Sequence, residues 1–209
     1  MSPRPYRSPS RESASAETRS RIIESARASL SRQGVVTFTI DAIAEAANVS
    51  RMTVYNQFGS KRGLVEALSD DLAARGGVGR LPEAFRAGDA VRGLEILVDV
   101  FTGFWERERL LLRRLRAVTT LDPELSRTDR DARRRQALAV LLHRLSAETG
   151  RPAPEETETA ADLLLVLTSF EAYESLAAGG RDQRTVAQLV TAAAKRLLGV
   201  RGDVGPPGP

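Results

Sequence analysis

The sequence has no cysteine and a single histidine, His143, in 209 residues. The first absence excludes disulfides, thiol nucleophiles and thiolate metal sites. The second excludes a zinc site built on two histidines and leaves His143 as the sole imidazole for a hydrolytic triad. No phosphate-cradling loop, metal-ligand cluster or nucleophile–base pair stands out, so an enzyme, a bound metal and a cofactor are not expected. Long apolar runs are missing as well. Runs such as Leu163 to Leu167 are far below the roughly 18 residues of a membrane span. The opening MSPRPYRSPS lacks the apolar centre of a secretory signal. The expectation is a soluble cytoplasmic protein with no membrane partner. Lysine is scarce too: of 31 basic residues only Lys61 and Lys195 are lysine.

What is present is an ordinary globular composition, 42% hydrophobic and 28% charged, on a chain long enough to bury a core. The net charge of +4 is unevenly placed. Residues 1–80 hold 12 basic and 8 acidic side chains, whereas residues 81–209 hold 19 of each. The whole excess lies in the first two-fifths, which points that part toward an anionic partner.

Residues 1–16 are rich in Pro, Ser and Arg, with Tyr6 the one large apolar group, and read as a disordered tail. Residues 200–209 read as a second. Between them the apolar residues recur at helical spacing. Ile22, Ile23, Ala26 and Leu30 share a face, and Val91, Leu94, Val98, Phe101 and Trp105 step by three and four. Leu138, Leu141, Leu142 and Leu145 make another stripe. No run alternates with the period of a strand. Breaks fall at Gly76-Gly77, at Pro152-Ala153-Pro154 and at Gly179-Gly180. The fold class is all-α with about nine helices: a three-helix N-terminal domain at 17–75 and a larger helical domain at 82–199. Two arginine-rich stretches, 107–116 and 130–135, are interleaved with Asp and Glu and read as solvated helix faces.

The informative stretch is TIDAIAEAANVSRMTVYNQFGSKRG, residues 39–63. Thr39 is placed to cap a short helix with Asp41 in its first turn and Ile40, Ile43, Ala44 and Ala47 on its apolar face. Asn48 tolerates the left-handed backbone of a tight turn. Ser50 caps a second short helix, Arg51 to Gln57, which turns Val54 and Phe58 inward. Gly59 breaks it, and Ser60 caps the next helix at Lys61. Two short helices crossing through such a turn make a helix-turn-helix, here 39–58, whose second member is slim enough for the DNA major groove. Its outward groups are donors or amphipathic, and no carboxylate lies between Ser50 and Glu66.

Val49-Ser50-x-x-Thr53-x-Tyr55-x-x-Phe58-x-Ser60-Lys61, followed by Leu64 and preceded by Thr39-Ile40-x-x-Ile43-Ala44, resembles the N-terminal domain of TetR/AcrR-family transcriptional regulators. The likeness runs from about Thr18 to Leu72, about a quarter of the chain. It implies that Thr39, Tyr55 and Lys61 contact phosphate. It implies equally that Ser50, Arg51, Met52, Thr53 and Asn56 face bases or the adjacent backbone. Asn56-Gln57 stands where the family often has an aromatic or His, and Met52 where a small residue or Pro is common, which alters the bases read.

The remainder matches that family in architecture only. There the resemblance implies a small-molecule effector site and a homodimer. The segment near 157–177 is apolar nearly all round at Leu163–Leu167, so it needs a second partner. Leu164 and Leu167, with Val186, Leu189, Val190 and Ala193 from the segment near 183–198, are the candidate dimer contacts of a four-helix bundle. A twofold dimer suits double-stranded DNA with a palindromic operator, its half-sites about 34–36 Å apart. Phe101, Phe104, Trp105, His143, Phe170 and Tyr173 are candidate walls of a pocket for an apolar or aromatic effector, with ordinary core as the competing role. Glu171 or Glu174 would there favour a cation. The resulting expectation is a ligand-responsive repressor. The alternative is a helical small-molecule-binding or interaction protein whose helix-turn-helix reads nothing.

Overall fold

A computed structural model describes residues 9–32, 38–122, 125, 130–149 and 154–200. The described residues contain eleven α-helices, one 3-10 turn and no strand, the all-α class read from the pattern. They fall into two compact units, 1–72 with 110–127, and 73–109 with 128–209.

The first unit holds α1 (Pro9–Arg32), α2 (Ile40–Ala46), α3 (Arg51–Phe58), most of α4 (Lys61–Arg75) and nearly all of α7 (Arg109–Leu121). Its core is Ile22, Ala26, Leu30, Phe38, Ile43, Ala47, Val54, Leu64 and Leu68, each at most 2% exposed. The helix caps are those the residue types dictate. Thr39 Oγ1 accepts from the Ala42 N–H, Ser50 Oγ from that of Thr53 and Ser60 Oγ from that of Gly63. Asn48 adopts φ 51°, the left-handed turn expected of it. The α3–α4 corner depends on the missing side chain at Gly63: a Cβ there would stand 2.0 Å from the Phe58 carbonyl oxygen.

α1 begins at Pro9, inside the segment read as a tail. Its early turns are tied to α3. Gln57 Nε2 donates to Ser15 Oγ at 2.9 Å, Arg19 Nη1 donates to the Gln57 carbonyl at 2.8 Å, and the Arg19 guanidinium lies 4.3 Å from the Phe58 ring centre. Composition alone missed these long-range anchors. The tails at 1–8 and 201–209 lie outside the described residues. Residues 110–127, read as part of the C-terminal domain, join this unit for an equally local reason. Arg114 Nη1 donates to the carbonyls of Leu30 and Ser31 at the end of α1, where carbonyls lack helical partners.

The second unit holds α5 (Leu81–Arg86), α6 (Ala90–Arg107), α8 (Arg130–Thr149), α9 (Pro154–Leu167), α10 (Phe170–Ala177) and α11 (Gln183–Leu197). α6 is its central rod and packs on α5, α8, α10 and α11. Gly93 lets α5 approach: a Cβ there would meet the Ala84 carbonyl oxygen at 2.6 Å. The segment expected as one helix near 157–177 is two. Thr168 Oγ1 donates to the Leu164 carbonyl, and Ser169 then caps α10 by accepting from the Ala172 N–H at 3.1 Å. Trp105 Nε1 donates to the Thr168 carbonyl at 3.0 Å, satisfying an acceptor that the break frees. A second break at Glu108 separates α6 from α7.

Candidate nucleic-acid interface

α3 is held by one buried side chain, Val54, which is 1% exposed, with α2 packed behind it. Phe58, expected inside, is half-buried beneath Arg19. The outer face carries Arg51, Met52 and Asn56, all exposed, with Thr53 and Tyr55 half-exposed. Met52 is 65% exposed, an unbranched apolar chain standing in water. Thr39 and Ser50 are exposed beside it. The eight residues expected to meet DNA therefore lie on α3, on its cap, on the cap of α2 and at the start of α4.

The two basic residues among them are already engaged by carboxylates. Arg51 Nη1 lies 3.2 and 3.1 Å from the two carboxylate oxygens of Asp41, and Nη2 donates to the Tyr55 hydroxyl at 3.4 Å. The guanidinium sits 5.6 Å from the Tyr55 ring centre. Its pKa is raised, first by the Tyr55 hydrogen bond and then by Asp41, so it stays a cation. Lys61 Nζ pairs with Asp122 Oδ2 at 3.0 Å. The α3 sequence is free of acid, yet carboxylates from outside it reach both basic ends of this surface. An open groove of about 520 Å³ also lies between α1 and α2, lined by Glu24, Ser29, Arg32, Ala42 and Glu45 among others.

In the second unit, Phe101, Phe104, Trp105 and Phe170 form one packed cluster. Trp105 lies 5.8, 4.6 and 5.7 Å, centre to centre, from Phe101, Phe104 and Phe170. Arg134, read as part of a solvated face, is buried, its guanidinium 5.8 Å from the ring centres of both Phe101 and Trp105. Tyr173 is 1% exposed and donates to Glu106 Oε2 at 2.5 Å. Burial, then the Glu106 carboxylate, push its phenol pKa well up. Glu174, a candidate for attracting a cation, is matched by Arg109 Nε. His143 does not join this group. It is exposed, because the stripe Leu138, Leu141, Leu142 and Leu145 puts position 143 on the opposite side of α8.

The candidate dimer contacts need a shift of register. Leu164, Val186 and Val190 are 0%, 0% and 2% exposed within one chain and cannot meet a second copy. The apolar residues left outside are Leu163 and Val166 on α9, and Leu189 and Leu197 on α11, at 45, 64, 43 and 40% exposure. Leu167 and Ala193 are half-exposed.

Residues 22–68, which contain the helix-turn-helix, match the family described as bacterial regulatory proteins, tetR family. The match covers the N-terminal helices and not the unit that follows. The chain is 45% identical over 56 residues to the HTH-type transcriptional regulator TtgR of Pseudomonas putida, a match covering 27% of this chain and 27% of that protein. The chain thus matches little more than a quarter of the length of that curated relative. Two solved structures resemble the chain over most of its length. A TetR-like transcriptional regulator from a Rhodococcus species superposes with TM-score 0.62 at 22% identity, covering 88% of this chain and 97% of that one. A TetR-family transcriptional regulator from Pectobacterium atrosepticum gives 0.61 at 22%, covering 96% and 100%. They share the fold of the N-terminal helices and of the helical unit that follows them. Among the described residues no helix is long and apolar enough to cross a membrane.

Proposed function

We propose that the protein is a ligand-responsive, sequence-specific DNA-binding transcriptional regulator that acts as a homodimeric repressor. The observation that carries this reading is the division of α3, which buries Val54 and leaves Arg51, Met52 and Asn56 exposed on one short capped helix within the stretch that matches the tetR family. Such a helix presents base-directed donors in the major groove while its flanks hold phosphate. Thr39 supports the flanking role, because its hydroxyl oxygen accepts a backbone N–H and its own hydrogen is left to donate, while Ser50 shares a 2.8 Å hydroxyl contact with Thr53 at the same edge.

The dimer reading rests on the outer apolar residues of α9 and α11, Leu163, Val166, Leu189 and Leu197, with Ala193 between the last two. Two such helix pairs suit a four-helix bundle. The effector reading places a small apolar or aromatic molecule beside the Trp105 cluster of the second unit. To move the equilibrium from 1:99 to 99:1, it must prefer the non-binding state by about 5.5 kcal/mol.

Selection of duplexes from a random pool by the purified protein tests the reading. Enrichment of a two-fold symmetric motif is the expected result. A folded protein that enriches nothing at low salt overturns it and favours the helical interaction protein with a non-reading helix-turn-helix.

A further inference from the structure

The Asp41–Arg51 pair is an oddity on a surface meant for an anion. Asp41 stands in the first turn of α2, and Arg51 opens α3. Their side chains are 69% and 59% exposed, and exposed pairs of this kind contribute little to stability. A carboxylate so placed also repels phosphate, which works against a general grip on nucleic acid. An acid in the first turn of α2 favours that helix start, but this explains Asp41 alone and not its reach to Arg51, and bulk affinity does not explain the pair either. Orientation does. An arginine on a water-exposed helix end samples many rotamers, and a guanidinium that reads a base must present its donors in one plane.

Three contacts hold Arg51. The Asp41 carboxylate takes Nη1, the Tyr55 hydroxyl takes one hydrogen of Nη2, and the Tyr55 ring lies alongside. Asp41 belongs to a different helix from Arg51. It is fixed in place because the same helix buries Ile40, Ile43 and Ala44. The carboxylate therefore reaches the guanidinium from a separately anchored helix backbone. Among the described residues Nε has no partner, so it and the remaining Nη2 hydrogen are left to donate.

We propose that Asp41 is a specificity-determining residue: it fixes the Arg51 guanidinium so that its remaining donors address guanine O6 and N7 in the major groove rather than the phosphate backbone. The proposal rests on the DNA-reading role above and names a residue outside α3 as part of the base code. Asp41 acts through Arg51, as a positioning residue.

The test uses the full-length chain and its Asp41→Asn, Arg51→Ala and doubly substituted variants. Each is offered the duplex selected by the wild type and duplexes changed at single base pairs, with binding read by fluorescence anisotropy. Arg51→Ala should lose about tenfold discrimination at one G·C pair. Asp41→Asn should lose part of the discrimination at that same pair while binding unrelated duplexes more tightly. The double variant should discriminate no worse than Arg51→Ala alone. Unchanged thermal midpoints confirm that surface groups alone were altered. Asp41→Asn that keeps full guanine preference overturns the proposal, as does one that loses preference at a different pair. A wild-type protein that selects no duplex overturns the DNA-reading role itself, an outcome distinct from failure of Asp41 in a protein that does select.

Discussion

Lys61 Nζ and Asp122 Oδ2 meet at 3.0 Å, joining the first residue of α4 to the residue that follows α7, across 61 positions of sequence. The lysine expected to hold phosphate is thus in competition between an internal carboxylate and DNA. Both side chains are about one-third exposed, so the pair is open to water and salt. Asp122→Asn should raise affinity for every duplex, specific or not. Lys61→Ala should lower it uniformly and reduce the slope of log K against log salt by about 1. Salt titrations by anisotropy measure both. An Asp122→Asn protein that binds no more tightly than wild type rejects the competition.

Gly63→Ala should be costly for its size. The added methyl would fall 2.0 Å from the Phe58 carbonyl oxygen, which is backbone and cannot rotate aside. Overpacking of this kind costs about 1–3 kcal/mol. Differential scanning calorimetry should show a lowered midpoint, and Gly79→Ala, with open space at its Cβ, serves as the control.

Val166→Glu combined with Leu189→Glu should yield a folded monomer in sedimentation, since both residues face outward. Leu164→Ala should behave oppositely. It empties a fully buried site and should cost about 2–5 kcal/mol of stability without a direct effect on association. Dimers that persist in the double variant would remove the proposed interface.

Glu95 carries an acid-dependent contribution. Lys195 donates to it at 2.6 Å and Arg92 at 2.8 Å, and the Lys195 bond foremost holds its carboxyl below the usual glutamate range. A group depressed in the folded state contributes above its unfolded pKa, and the contribution is lost as pH falls through the folded value. Glu95→Gln should therefore lower the thermal midpoint near neutrality and converge with wild type as the pH falls below the usual glutamate range. A gap that stays constant over that range would contradict the assignment.

The capped helices around Asn48 were legible because each signal is local. A hydroxyl accepts from an N–H three residues on, and an asparagine takes the left-handed turn. His143 was legible in principle, since its own stripe of leucines turns it outward. The inward residues of α9 were not. Leu163 to Leu167 is apolar at every position, so the run carries no phase, and only packing against α8 and α11 selects Leu164 for the core. The pairings of Asp41 and Asp122, and the burial of Arg134 against Phe101 and Trp105, were missed for one shared reason. Their partners lie on other helices or close only in space, and charge read along a line cannot show a pairing made across a fold.

The scarcity of lysine has a practical sequel. The two side-chain amines, Lys61 and Lys195, each clasp a carboxylate on another segment, one in each compact unit. Everywhere else the positive charge is guanidinium, which amine-selective reagents ignore. Labelling chemistry would thus report separately on two latches, with the α-amino group the one other amine along the polypeptide to blur the signal.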